Sequence, residues 1–385
     1  MAKELAFVLI NPYTIAKSRT GGVIGRFLSR TGLELVAARM FAPGKELIEQ
    51  YAEIVGKSEV ETLNVRKLLS RYILQAYVPH PVSNLPQRVF LLLLEGENAI
   101  RKVASVAGPA LMGGGETVRD TFGDYVTDED GHVQYFEPAV LVGGSRSETK
   151  ATLRLWARYS ATEGGVIHDA ADVHQRKGWE NTLVLIKPDN FRFPNARPGN
   201  IIDILSRSGL RIIAGKVHRM SVVEAESFYE PIRENLHVKM ASQITQRANK
   251  ILSTEFKLKI PSQVITFLEK TLGPLSGDIE FNKIVEFMTG FDPLICSATE
   301  KKKEGRNKCL VLVYAGVNAV AKIRSLLGST DPTKAIPGSV RREFGSDIMV
   351  NAAHASDSVG SSEREMAIIH MQDDTIPEWV EKYYR

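Results

Sequence analysis

Residues 22–33 read GVIGRFLSRTGL, and residues 199–210 read GNIIDILSRSGL, so the two stretches align without a gap. Two further pairs keep the same order along the chain. LAFVLI at 5–10, followed by Asn-Pro, matches TLVLI at 182–186, followed by Lys-Pro; FLLLLEGENA at 90–99 matches LVLVYAGVNA at 310–319. Self-similarity at one long spacing indicates a duplicated domain, whereas a solenoid would repeat every few tens of residues.

Each copy predicts the same series of elements. A short run rich in Val, Ile and Leu indicates a buried strand, and a helix follows that a glycine ends, Gly32 or Gly209. The order strand, helix, strand, helices, strand, helix, strand predicts an α+β protein of two tandem ferredoxin-like (βαββαβ) α/β sandwich domains with antiparallel sheets. We place these domains at 1–160 and 180–385, with a linker at 161–179 and an insertion at about 231–277 in the second domain.

Composition sets limits on the function. The chain has 385 residues, 43% of them hydrophobic, and a net charge of +4, which suits anionic ligands but does not by itself indicate nucleic acid. Its two cysteines form no metal-binding spacing, and its longest apolar run, at 89–94, is far shorter than the roughly 20 residues of a membrane span. The sequence therefore predicts a cytoplasmic protein without a signal peptide or a membrane partner.

A histidine near the end of the chain is the candidate for phosphate chemistry. The chain has no GxxxxGK[ST] loop, no HExxH and no paired CxxC. His354 lies in NAAHASDS at 351–358, after an apolar run at 347–350 that predicts a strand and before a helix that Ser358 opens. Imidazole is a good nucleophile near neutral pH, and Glu365 on that helix is placed to accept a hydrogen bond from one ring nitrogen. Taken alone, a histidine in this setting is more often structural.

The residues around His354 form a set of motifs. Lys187-Pro-Asp follows the first strand of the second copy, RSLLGSTDP occupies 324–332, and PGSVR occupies 337–341. Together with NAAHASDS, and in this order, the set resembles the signatures of the nucleoside diphosphate kinases over most of the last 205 residues. The resemblance implies a ping-pong transfer of the γ-phosphate from a nucleoside triphosphate to a diphosphate through phospho-His354, with Mg²⁺ carried by the nucleotide and no metal site on the protein.

The resemblance also implies a role for each site residue. Lys187 would bind the transferring phosphate, and Asn351 would bond the sugar hydroxyls. The β- and γ-phosphates would be held by Arg324, Thr330 and Arg341. His354 would be oriented by Tyr229, Glu365 and Ser356. The base would be clamped between Phe281 and Ile284. The base clamp is placed less firmly because the insertion falls just before it.

The chain departs from the family at several positions. Ala355 stands where the family has glycine, which would cost roughly 1 kcal/mol if the backbone there has positive φ and nothing otherwise. In the first copy Asn11 replaces the phosphate lysine, and 141–143 read Leu-Val-Gly with no histidine, although Arg119 and Tyr51 match. We therefore expect a catalytically inactive first copy that forms an intramolecular pseudo-dimer with the second.

Three alternatives stay open at this point. A regulatory nucleotide site in the first copy is one. A non-catalytic nucleotide-binding or scaffold protein with the kinase fold is another, and a homo-oligomer is the third. A nucleic-acid partner is not expected, because the predicted strands carry no exposed aromatic pair of the kind that stacks on RNA bases.

Overall fold

The computed structural model describes residues 3–111, 115–130, 133–168 and 177–385. The chain forms two compact units. One comprises Met1–His218 together with Cys309–Arg385, and the other is Arg219–Lys308. The first unit contains the sheets of both copies, and the second contains the predicted insertion at about 231–277. The predicted domain boundaries at 160 and 180 stay a prediction.

The described residues of the first copy form six strands and seven helices. In chain order they are β1 (Lys3–Ile10), α1 (Pro12–Ala16), α2 (Thr20–Thr31), β2 (Glu34–Phe41), α3 (Lys45–Gly56), α4 (Leu63–Ala76), β3 (Val89–Glu97), α5 (Ala99–Ala107), α6 (Val118–Phe122), β4 (Asp124–Thr127), β5 (Val133–Glu137), β6 (Val140–Val142) and α7 (Arg146–Glu163). Strands β4 and β5 form a separate two-stranded sheet. Helix α7 continues into the predicted linker at 161–179, of which 169–176 lie outside the described residues.

The second copy repeats this plan with long helices inserted in its middle. Its elements are β7 (Trp179–Ile186), α8 (Arg197–Ser206), β8 (Arg211–His218), α9 (Val222–Tyr229), α10 (Arg233–Glu255), α11 (Ser262–Thr289), β9 (Cys309–Val317), α12 (Ala319–Leu327), α13 (Val340–Phe344), β10 (Ala353–Ala355), α14 (Val359–Ile368) and α15 (Ile376–Tyr384). Among the described residues, none of these helices or those of the first copy combines the length and the apolar character that a membrane span requires.

Both copies build the same four-stranded antiparallel sheet. The strand orders are β2-β3-β1-β6 and β8-β9-β7-β10, which is the order 2-3-1-4 within each copy. The registers also correspond, since Leu9 in β1 faces Leu141 in β6, and Leu185 in β7 faces His354 in β10. This topology confirms the predicted α+β fold of two tandem ferredoxin-like domains.

The two copies pack against each other through matching helices and strands of the first unit. Helix α2 lies against α8, and β2 lies beside β8. The helices approach closely because glycines face each other, and a Cβ added at Gly199 would lie 2.6 Å from the Cα of Gly25. Helix α15 packs on α7 of the first copy, where the Tyr384 hydroxyl donates to the carbonyl of Leu5. Arg39 in β2 donates to the backbone carbonyls of Gln372 and Asp373.

One predicted strand is wrong. The run at 347–350 forms bends, and the strand before α14 is β10, six residues after Asp347. The Oδ1 atom of Asp347 accepts hydrogen bonds from the backbone nitrogens of Met349 and Val350, both at 2.8 Å. An aspartate that bonds the backbone two and three residues ahead stabilises a turn and competes with strand pairing.

The second unit, which contains the predicted insertion, is helical. Helices α10 and α11 pack along each other, and Gly273 and Gly277 in α11 face α10 at positions where a Cβ would meet Ala241 and His237. Polar contacts support the same pair, since Asp278 accepts from the Nε of Arg233 at 2.8 Å.

Candidate active site

His354 is the central residue of the short edge strand β10. The sequence placed it at a strand-to-helix turn, but its backbone pairs with Leu185 in β7, and α14 begins five residues later. Ala355 is also in β10, opposite Val184, and is not among the described residues with positive φ. The strain considered for alanine at this position is therefore absent. Ser358 caps α14 as predicted, because its side chain accepts from the backbone nitrogen of Ser361.

His354 forms a hydrogen-bonded network with Glu365 and Ser356. Its Nε2 lies 3.0 and 3.1 Å from the two carboxylate oxygens of Glu365, and the Ser356 hydroxyl donates to one of these oxygens at 2.7 Å. Glu365 and Ser356 are buried, whereas the His354 side chain is 24% exposed. With Glu365 ionised, Nε2 carries the proton and the ring lone pair lies on Nδ1. The network thus fixes the tautomer of a partly exposed imidazole.

Lys187 follows the end of β7 and is buried. Its Nζ donates to the carbonyl of Met349 at 3.0 Å and to the Oδ1 of Asn351 at 2.7 Å. Burial, together with the nearby Arg341 charge, lowers the pKa of Lys187 to about 8, against the opposing effect of Asp189. The site therefore contains a desolvated cation that donates hydrogen bonds to two neutral groups, and an anion near it would be strongly attracted.

His354 and Lys187 project from the same face of the sheet. His354 lies opposite Leu185, and Lys187, which has extended backbone directly after β7, comes two residues after Leu185 along the chain. Side chains two residues apart on a strand, and residues directly opposite on an antiparallel neighbour, share one face. The backbone links the two sites as well, since the nitrogen of Lys187 donates to the carbonyl of Ala352 at 2.9 Å.

Arg341 connects the loop after α12 with the strand of His354. Its Nη1 donates to the carbonyl of Gly328 at 3.0 Å, and its Nε donates to the carbonyl of Ala353 at 3.3 Å. Arg119 makes the equivalent bonds in the first copy, to the carbonyls of Gly108 and Val140. The arginine at this position therefore stabilises the fold in both copies.

The remaining residues predicted for this unit are Arg324, Thr330 and Asn351. Arg324 and Thr330 are exposed. A hydrogen bond from Ser361, and to a lesser extent the charge of Arg324, lower the pKa of Asp357 below its usual range. Asn351 uses its amide nitrogen to donate to the carbonyl of Thr330 at 3.2 Å, so it also tethers that loop.

Three predicted site residues lie in the second unit. Tyr229 ends α9 and is buried, with its ring 5.0 Å from that of Phe228. Phe281 in α11 is buried, and the guanidinium of Arg233 lies 5.1 Å from its ring centroid, while Ile284 is half-buried. Their predicted roles, orienting His354 and clamping the base, stay predictions.

Two supporting residues were not predicted from the sequence. Ala352 has φ of +69°, and its carbonyl accepts from the side chain of Asn190 at 2.8 Å in addition to the nitrogen of Lys187. Ala139 in the first copy has φ of +60° and a carbonyl that accepts from the nitrogen of Asn11. Alanine gives no sequence signal for positive φ, and only the repeat alignment would have linked the two turns.

Comparison with known proteins agrees with the motifs. The family model described as nucleoside diphosphate kinase matches residues 180–276 and 275–375, which together span the second copy and meet within α11. The chain belongs to the nucleoside diphosphate kinase family. Its second copy contains the family match, and the repeated sheet gives the family fold in tandem.

Individual nucleoside diphosphate kinases show similarity over the same half of the chain. One from a Nitratiruptor species is 30% identical over 197 residues, which are 51% of this chain and 99% of that protein. One from Chlamydia pneumoniae is 31% identical over 188 residues, 49% of this chain and 88% of that protein. A solved NDP kinase from Pyrobaculum aerophilum is 28% identical, and the match covers 49% of this chain and 94% of that chain at a TM-score of 0.34.

Proposed function

We propose that the protein is an active nucleoside diphosphate kinase that transfers the γ-phosphate of an NTP to an NDP through phospho-His354. The observation that carries the proposal is the network of His354 with Glu365 and Ser356, on the same sheet face as the buried cation of Lys187. A nucleophile with a fixed tautomer beside a desolvated cation suits attack on a phosphoryl group.

The transfer would proceed in two displacements. The Nδ1 lone pair of His354 attacks the γ-phosphorus, the bond from that phosphorus to the β–γ bridging oxygen breaks, and the diphosphate leaves with the electron pair. Glu365 balances the positive charge that the ring gains, through the proton on Nε2. A terminal oxygen of the incoming diphosphate then attacks phospho-His354 and restores the lone pair to Nδ1. Positioning and charge stabilisation supply most of the catalysis in such a reaction.

Cationic side chains would bind the phosphates. Lys187 would approach the transferring group, and Arg341 and Arg324 would neutralise the β- and γ-oxygens, with Thr330 as a hydroxyl donor. Mg²⁺ would enter with the nucleotide and neutralise phosphate charge. Within the described residues there is no cluster of three or more His, Cys, Asp or Glu side chains that could hold a metal ion.

We further propose that the first copy does not transfer phosphate. Its sheet register places Leu141 where the second copy has His354, so the nucleophile is missing. Asn11, at the position of Lys187, is buried and accepts a hydrogen bond at 2.7 Å from the hydroxyl of Tyr77. The packing of α2 on α8 and of β2 beside β8 supports a role as an intramolecular pseudo-dimer partner.

The test is phosphate exchange by the purified full-length chain. ATP and GDP with Mg²⁺ should yield GTP, and ATP alone should yield acid-labile, alkali-stable phosphohistidine. His354→Gln should abolish both, while His80→Gln, which changes an exposed histidine of the first copy, should change neither. Tight nucleotide binding by the wild type without transfer would instead favour the non-catalytic scaffold. A cytoplasmic location stays a prediction.

A further inference from the structure

A cavity opens between the two copies within the first unit. Its volume is about 410 Å³, within the range of small-molecule sites. Its walls come from the α1–α2 region and the loop before β3 in the first copy, and from α8, β8 and β9 in the second. The residues that line it include none of those assigned to the phosphate transfer. Ile15, Leu85, Ile202 and Leu210 form its apolar surface.

A half-buried arginine gives the cavity its charge. Arg88 lies on the loop before β3, and its Nη1 donates to the carbonyl of Ile212 in the other copy. Burial, and then the charge of Arg211 in the same wall, lower the pKa of Arg88 to about 10. No carboxylate lines the cavity among the described residues. A positive charge that is partly desolvated beside another one favours a bound anion.

Two buried hydroxyl groups in the same walls lack partners. The side-chain oxygens of Thr20 in α2 and Tyr314 in β9 make no hydrogen bond, although these residues are only 2% and 1% exposed. Burial and the nearby Asp203 raise the pKa of Tyr314, so its hydroxyl keeps the proton that it could donate. An unsatisfied buried hydroxyl is unfavourable, and a small shift of either side chain toward the cavity would let a ligand oxygen bond its hydroxyl.

We propose that this cavity binds a small organic phosphate, with its dianionic phosphate at Arg88 and Arg211 and its hydroxyl-bearing body against Thr20 and Tyr314. Two adjacent guanidinium groups match a dianion better than a monoanion, and guanidinium forks fit phosphate oxygens. The apolar wall and the volume favour a ligand with an organic body over bare phosphate. The site goes beyond the proposed transfer reaction, because its residues belong to both copies and none of them serves His354.

The test is calorimetric titration of the full-length protein with ribose 5-phosphate and, separately, with inorganic phosphate. Ribose 5-phosphate should bind once per chain and more tightly than inorganic phosphate. Arg88→Met should weaken binding about 10- to 100-fold, the expected loss for a charged hydrogen bond. Tyr314→Phe should weaken it about 3- to 10-fold, as expected for a neutral one.

Matched variants show whether the ligand binds in this cavity or at the proposed transfer site. Arg101→Met removes an exposed arginine of α5 and should leave the affinity unchanged, as should Lys187→Met at the proposed transfer site. Thermal unfolding checks that each variant folds; if Arg88→Met does not, Tyr314→Phe and Thr20→Val carry the test. Equal binding by wild type, Arg88→Met and Tyr314→Phe would overturn the proposal. So would binding that Lys187→Met alone abolishes, or no saturable binding by the wild type.

Discussion

The pH dependence of phosphate transfer should follow the charge of Lys187. Its side chain is buried, and its pKa is lowered to about 8. The proposed reaction needs the cation, because the neutral amine cannot stabilise the transferring phosphoryl group. Raising the pH through this pKa should therefore remove an essential charge from the free enzyme, whose ionisation determines kcat/KM.

The size of the effect follows from the pKa. One pH unit above it, about one molecule in eleven retains the charge, so kcat/KM at about pH 9 should be about 11-fold below its plateau. The fall in kcat should begin at higher pH, since a bound phosphate favours the protonated amine. Asn351→Asp places a carboxylate where the present amide oxygen lies 2.7 Å from Nζ. That change should move the descending limb up by about 1 unit or more.

Deprotonation of Lys187 cannot reduce activity at alkaline pH by unfolding the protein. A lysine whose pKa is lower in the folded state penalises folding while it is charged, fully so below about pH 8. As the pH rises toward the unfolded value near about 10.4, the unfolded chain binds more protons and the free energy of unfolding increases. This group therefore makes the protein more stable over the range in which we expect transfer to fail.

The assay is initial-rate transfer from ATP to CDP at subsaturating and saturating substrate, with circular dichroism at each pH. The adenine of ATP and the cytosine of CDP keep their charge over the alkaline range used. A flat kcat/KM profile up to about two pH units above the pKa of Lys187 would refute the assigned role of this lysine. A descending limb that Asn351→Asp leaves in place would show that another group causes it.

Three further changes test single contacts. Glu365→Gln removes the charge that stabilises the ring of His354 and should lower kcat about 100-fold, measured as single-turnover phosphorylation. Gly199→Ala pushes a methyl into the backbone of α2 and should lower the free energy of unfolding by about 1–3 kcal/mol, whereas Gly360→Ala has open space and should raise it slightly. Ala355→Gly should lower stability by about 0.5–1 kcal/mol without faster transfer, because the strand there needs no positive φ.

The sequence predicted those parts of the fold that depend on local patterns. Buried strands such as β3 and β9 are continuous apolar runs, and Gly32, with φ of +63°, ends α2 as a C-cap should. The β4–β5 hairpin was not predicted, because Asp124–Thr127 and Val133–Glu137 are mainly half-buried or exposed and show no clear apolar alternation. The aromatic contacts that hold it join residues far apart along the chain, since Tyr135 and Phe136 pack on Tyr13 of α1 and Tyr72 of α4.

The candidate site was predictable in identity but not in geometry. The motifs name His354 and Glu365, yet the contact of Nε2 with both carboxylate oxygens appears only in three dimensions. Asn351 illustrates the difference, since the resemblance implies a sugar contact whereas its amide oxygen accepts from Lys187. A sequence cannot show which of two partners a buried amide faces, because the competing hydrogen bonds come from residues far apart along the chain.

Comparison of the two copies separates residues that the fold requires from those that only the chemistry requires. Arg119 and Arg341 bond equivalent carbonyls, and both copies have an alanine with positive φ before the fourth strand of the sheet. These features therefore do not depend on a nucleophile, because the first copy has Leu141 in the register of His354. The presence of Arg119 at the position of Arg341 therefore does not indicate that the first copy binds phosphate. Lys187 is the more informative position, since a buried lysine with a lowered pKa opposes folding while it is charged, and the first copy has Asn11 in its place.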